Sequence, residues 1–231
     1  MTRRMVILSL LAFGWRASPA FGESDTEKRL RNAATTLREI MGTPDKSIPR
    51  DLLDRAYCVA IVPGMKKGAF IFGAQYGKGY FSCRSGAGDR WSSPGTIRIE
   101  GGSFGLQIGG SETDVVLLVM NESGMNKLLS SRFTLGGGAS VAAGPVGRTA
   151  RAETDALMTA EILSWSRSRG VFAGVSLDGS TLRQDLGDNR ELYGRTVENR
   201  EIIEKKIAAP PAAKELISLL TKYSPKRRKN S

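Results

Sequence analysis

The sequence predicts an α+β fold, a curved, barrel-like, mostly antiparallel β-sheet flanked by N- and C-terminal helices. Three observations carry this. From residue 57 to about 183, short β-branched and aromatic runs alternate with glycine. On either side of that stretch, apolar residues recur at helical spacing. The glycines also sit inside the strand-like runs, where they mark bends, bulges and close backbone approach. That pattern suits a strongly curved sheet with a tightly filled interior.

The elements follow in order. Residues 1–22 have the three parts of a secretory signal: Arg3 and Arg4, an apolar run from Met5 to Phe13, and small residues at Ala20 and Gly22 before Glu23. The alternative, a membrane anchor, needs ~20 apolar residues and the run is much shorter. Residues 23–56 form an amphipathic helical region. Ser24, Asp25, Thr26 and Glu27 make a capping box, and Leu30, Ala34, Leu37 and Met41 follow as one apolar stripe. Gly42 and Pro44 stop this helix, and a shorter one runs through PRDLLDRA with Pro49 in its first turn.

Residues 57–194 are the β-rich core. Its strand-like runs are CVAIVPG, GAFIFGAQYG, GYFSCRS, GTIRIEGG, FGLQIGG, TDVVLLVM, ASVAAGPVG, EILSWSRSRG and VFAGVSL, with SGAGDRW as a hairpin loop. One helix interrupts them at NESGMNKLLSS, with Asn121 as its N-cap. In an exported chain Cys58 and Cys83 read as a disulfide, with two separate buried thiols as the alternative. The C-terminal part, residues 195–223 beyond the core, returns to helix: a helical segment from about 189 to 206, a break at Pro210-Pro211, then AAKELISLLTKY. Residues 224–231 read as a basic, disordered tail.

Composition narrows the chemistry. The chain of 231 residues carries a formal charge of +11 and no histidine. Loss of residues 1–22 would remove Arg3, Arg4 and Arg16 but no acid, leaving +8. Without histidine there is no Ser-His or Cys-His pair, no histidine base and no histidine metal ligand. No metal or cofactor site is indicated. The glycines do not make a phosphate loop, since Gly73 to Gly79 has the wrong spacing and lacks the hydroxyl. In TLGGGASVAAGPVGR (134–148) the glycines read as structural, permitting close strand packing and a turn at Gly144-Pro145. Asp114, Arg148 and Asp155 read as structural ion-pairing residues, and Ser103, Ser140 and Ser176 have no visible base. Catalysis is not expected.

Surface binding fits better. Lys28, Arg29, Arg31 and Arg38 surround the apolar stripe of the first helix, and Lys66-Lys67 and the KRRK tail add charge. Each such residue contributes ~1 kcal/mol near an anionic membrane. The stripe either lies in the headgroup layer or packs on the sheet. Nucleic acid is not expected, because no aromatic-rich basic strand motif accompanies the charge.

From about 56 to 194 the chain resembles the SYLF domain family. The resemblance rests on CVAIVPGMKKGAFIFGAQYGKG (58–79), WSSPGTIRIEGGSFGLQIGGSETDVVLLVMN (91–121), FTLGGGASVAAGPVGR (133–148), AEILSWSRSRGVFAGVSLDGS (160–180) and DNRELYG (188–194). It implies a compact α+β domain that binds anionic phospholipids, phosphoinositides in eukaryotic members, some of which also bind and bundle actin. It also implies membrane contact through the amphipathic N-terminal part, here 24–56. The expectation is therefore an exported, periplasmic or secreted, non-enzymatic domain peripheral to a membrane. Lys28, Arg29, Arg31, Arg38, Lys66, Lys67 and Arg148 are the candidate headgroup contacts. An envelope structural or protein-interaction module is the alternative.

Overall fold

The computed structural model describes residues 22–43, 47–69, 73–85, 90–103, 109–146, 159–168, 171–174 and 177–227. The signal-like segment up to residue 21, the apolar runs 70–72 and 104–108, the hairpin loop 86–89, Arg148, Asp155, Ser176 and residues 228–231 lie outside these.

Helix α1 (Asp25–Gly42) opens on the expected capping box: the Ser24 hydroxyl accepts from the Glu27 N–H and the Glu27 carboxylate accepts from the Ser24 N–H. Helix α2 (Arg50–Arg55) follows Pro49. The strands are β1 (Cys58–Ala69), β2 (Gly73–Ser85), β3 (Arg90–Trp91), β4 (Gly95–Ser103), β5 (Gly109–Val119), β6 (Arg132–Thr134), β7 (Val141–Ala143), β8 (Ile162–Ser168), β9 (Val171–Gly174) and β10 (Thr181–Gln184). Helix α3 (Glu122–Leu128) is capped by the Asn121 side chain. Helices α4 (Leu186–Tyr193), α5 (Asn199–Glu204) and α6 (Lys214–Tyr223) close the chain.

The strands form one curled sheet in the order β6-β10-β4-β2-β1-β5-β8-β7, with β3 beside β2 and β9 beside β8. Every pairing is antiparallel except β7 with β8. Because side chains alternate along a strand, the sheet has an inner face and an outer face, each with its own core. Phe81, Ile97, Ile99, Val115, Leu117, Phe133 and Leu182 fill the inner one. Val59, Ile61, Tyr80, Val116, Leu118 and Trp165 face outward, where α1, α2 and α6 cover them. Leu30, Ala34 and Leu37 of the α1 stripe are almost wholly buried there.

Four expectations are corrected. GAFIFGAQYG is not one strand, because β1 ends at Ala69 and β2 begins at Gly73, so the run spans a hairpin. GAQYG and GYFSCRS are instead one long strand. The helix expected from 189 to 206 is two, α4 ending at Gly194 in a left-handed conformation (φ 70°), which glycine adopts without cost. The tail is pinned at its start: Ser224 is fully buried, its carbonyl accepts from the Trp91 indole at 3.0 Å, and the Arg227 guanidinium lies 3.4 Å from the Tyr57 ring centre.

The disulfide is present, joining Cys58 and Cys83 directly opposite each other on β1 and β2. Gly144 shows why the glycine-rich segment needs glycine. A Cβ there would lie 2.1 Å from the Trp165 indole ring, whose N–H reaches the Pro145 carbonyl at 2.9 Å. Gly144→Ala is expected to lower the unfolding free energy by about 1–3 kcal/mol, the usual cost of overpacking. Gly42→Ala, whose added carbon meets nothing within 4 Å at the end of α1, should keep or raise the denaturant midpoint.

Candidate anion-binding end of the sheet

Two features of β1 set up the site. Pro63 and Gly64 put an extra residue into β1 relative to β5 and β2, a bulge at which Gly64 takes φ 60°. Its N–H donates to Asp114 Oδ1 at 2.8 Å. Beyond the bulge, β1, β2, β4 and β5 continue past the helices, and Lys66, Gly68, Ala74 and Tyr76 are exposed.

Alternation then divides Lys66 from Lys67. Lys66 lies on the outer face in a row formed by Glu112, Lys66, Tyr76 and Glu100. Tyr76 is 46% exposed, unusual for so large a side chain in this fold. Lys67 lies on the inner face in the row Ser111, Lys67, Gln75 and Gly101. Burial alone lowers the Lys67 pKa, as expected for an ammonium leaving water without a carboxylate beside it.

Between α1 and the bulge is a cleft of about 720 Å³. Lys28, Arg29, Thr36 and Glu39 line it from α1; Glu112, Asp114 and Arg167 line it from the sheet. Asp114 is paired, but with Arg167, whose Nε is 2.9 Å away on the neighbouring strand. Burial raises the Asp114 pKa against the Gly64 N–H and the Thr36 hydroxyl. The cleft is therefore a mixed-charge surface rather than a basic pocket.

The remaining candidate cations are held elsewhere. Arg29 binds Asp188 at 2.5 Å, Arg31 binds Glu23, and Arg38 binds Glu215. Lys28 and Lys66 are exposed, and neither has a salt bridge among the described residues. The seven residues thus do not gather into one patch. With Arg148 undescribed, Lys28 and Arg29 share the cleft, Lys66 and Lys67 share a strand end on opposite faces, and Arg31 and Arg38 point toward other acids.

Sequence reasoning missed the clamp that holds α1 in place. Asp185 and Asp188, both nearly buried, take Lys78 between them at 2.9 and 2.7 Å. Asp188 also takes Arg29, and Asp185 caps α4 by accepting from the Asp188 N–H. Burial acts to raise the Asp185 pKa, but Lys78 and that N–H outweigh it and hold the carboxyl below its ordinary value. The DNRELYG motif was the available signal, although no spacing rule links it to Arg29 or Lys78.

The sequence model of a family described as "Ysc84: Las17-binding protein actin regulator" matches residues 100–223, which include Asp185 and Asp188 but not their partners Lys78 and Arg29. SH3 domain-containing YSC84-like protein 1 of Xenopus laevis is 33% identical over 210 residues, covering 88% of this chain and 62% of the relative. The human protein of that name is 31% identical over 209 residues, covering 88% and 60%. LAS seventeen-binding protein 3 of Saccharomyces cerevisiae is 34% identical over 203 residues, covering 86% and 44%. The chain thus spans about three fifths of these vertebrate relatives and less than half of the yeast one.

The clamp has a pH signature. A carboxyl held below its ordinary pKa stabilises the fold at neutral pH, and that contribution is lost as the pH falls through the lowered value. Asp185→Asn keeps an acceptor for the cap. It should cost about 2 kcal/mol at neutral pH, and denaturant unfolding curves of variant and parent should converge as the pH falls below the ordinary carboxyl range.

Proposed function

The chain belongs to the Ysc84 (SYLF) family, and from that premise we propose that it is a non-enzymatic binding domain for anionic phospholipid surfaces. It docks by the far end of β1, β2, β4 and β5. The observation that carries this reading is the pair Lys66 and Lys67 on the two faces of a strand end that runs past the helices, with exposed Tyr76 opposite Lys66. A sheet presented end-on sets both lysines at headgroup depth, and tyrosine suits the boundary between headgroups and acyl chains. Lys28, on the same side as the cleft, adds a third charge. The buried α1 stripe takes no part, since exposing it would strip the outer core.

Action outside the cytoplasm, after removal of residues 1–22, belongs to the same reading. The Cys58–Cys83 disulfide supports it, because such bonds persist in oxidising compartments. A protein partner is the second reading, favoured by the Las17 binding in the family's description.

Flotation of residues 23–231 with neutral and anionic liposomes across a salt series tests the proposal. Binding should require anionic lipid and weaken with salt. Changing Lys28, Lys66 and Lys67 together to Gln should cost about 3 kcal/mol, roughly a hundredfold. Arg31→Gln and Arg38→Gln should change little. The reverse pattern, or flotation with neutral vesicles alone, would contradict the proposal. Intact mass of the exported protein should begin at Glu23 and lack two thiol hydrogens; a chain starting at Met1 with free thiols would contradict the export reading.

A further inference from the structure

Positive charge also gathers at the other end of β1, about 30 Å along the strand from Lys66 at ~3.3 Å per residue. Three elements meet there at Ser224. Its carbonyl accepts from the Trp91 indole of β3, its hydroxyl donates to Asp54 of α2 at 2.6 Å, and its N–H donates to the Leu220 carbonyl of α6. Segments 50–57, 84–85, 90–91 and 222–227 form this corner. They carry seven arginines and lysines against two carboxylates, Asp51 and Asp54.

Part of that charge is committed to the fold. Arg55 lies 4.0 Å from Asp51, and the Arg84 and Arg227 guanidiniums stand over the Trp91 and Tyr57 rings. Arg50, Lys222 and Lys226 are exposed, and none of the three has a salt bridge among the described residues. Arg50 lies one helical turn before Asp54, and Lys222 and Lys226 each lie two residues from Ser224. None of the three lines the cleft beside the bulge or the groove between α1 and α6. They present a broad cationic surface and do not close around a small anion.

The two ends of β1 act separately, because charges are screened over ~8 Å at physiological salt. A domain docked by Lys66, Lys67 and Tyr76 therefore holds the Ser224 corner outside the field of the membrane it sits on. We propose that this corner is a second docking surface, for a second anionic bilayer, so that one domain bridges two membranes. The inference rests on the reading of the far end of β1 as the membrane-docking end, and adds a bridging activity to it. Tyr57, Trp91 and Tyr223 at the corner are all less exposed than Tyr76. The corner thus lacks an aromatic anchor and binds weakly by itself. Many domains anchored on one vesicle act together, and their combined contacts hold the second.

Light scattering of mixed phosphatidylglycerol–phosphatidylcholine vesicles with residues 23–231, beside flotation of the same samples, tests the bridge. Scattering should rise at low protein-to-lipid ratio and fall again at excess protein, when coated vesicles offer no bare lipid to the second end. Changing Arg50, Lys222 and Lys226 together to Gln should leave flotation nearly unchanged and raise the protein concentration needed for clustering about a hundredfold. Circular dichroism should show the variant folded. Changing Lys28, Lys66 and Lys67 to Gln should lose flotation and clustering together. Flotation of the parent without clustering would overturn the bridge and leave the membrane reading standing. So would clustering that survives the Arg50, Lys222 and Lys226 changes or persists at excess protein, since bound domains would then be associating with one another. Capture of polyglutamate that requires those three residues, without clustering, would assign the corner to an acidic protein and also overturn the bridge. No flotation of the parent would reject the membrane reading and the bridge with it.

Discussion

The side chain of Asn189 is the joint on which the architecture turns. It is fully buried, and its oxygen accepts from the Thr96 N–H at 3.0 Å and the Thr96 hydroxyl at 2.8 Å. Its amide donates to the Val197 carbonyl and to Asn199 Oδ1. Asn199, equally buried, donates back to the Thr96 carbonyl. β4, α4 and the start of α5 are thereby tied through polar groups whose partners are all supplied, the condition under which a buried network rigidifies a fold. One residue earlier, Asp188 fixes Lys78 of β2 and Arg29 of α1. Breaking one partner would leave buried charge uncompensated, which is costly.

This joint decides which surfaces are left for binding. With α1 clamped through Arg29, and the Tyr80 hydroxyl donating to the Thr26 carbonyl, the apolar stripe of α1 is spent on the outer core. Of the four cationic candidates on that helix, three are spent on acids. Among the described residues, the strand end beyond Pro63-Gly64 leaves Lys66 and Tyr76 exposed and Lys67 half-buried. The nearly buried Asp185 and Asp188 serve as anchors for lysine and arginine.

Much of this fold was legible in the sequence. The capping box at Ser24, the Asn121 cap and the disulfide pair follow from local chemistry and appear, and much of the strand-like pattern does too, with the boundaries around residues 68–85 redrawn. The division of Lys66 from Lys67 was also implicit in strand periodicity. Which face each would take was not legible, because β1 is apolar on both sides up to the bulge: Cys58, Ala60 and Val62 point inward, while Val59 and Ile61 point outward. With no polar face to set the phase, the bulge fixes it. The ion pairs of α1 were hidden for another reason. Arg29 and Asp188 lie 159 positions apart, and Arg38 and Glu215 lie 177 apart, so their meeting depends on tertiary packing and not on spacing along the chain.

The most direct test of the account is hydrogen–deuterium exchange of residues 23–231 with and without anionic vesicles. Bound lipid should slow exchange in 64–69, 73–78 and 109–113 while leaving α1 as protected as before, because the helix stays clamped to the sheet. Unchanged exchange at those strand ends, with faster exchange or new lipid protection along α1, would mean that the helix leaves its seat to meet the membrane, and the account would be wrong at its centre.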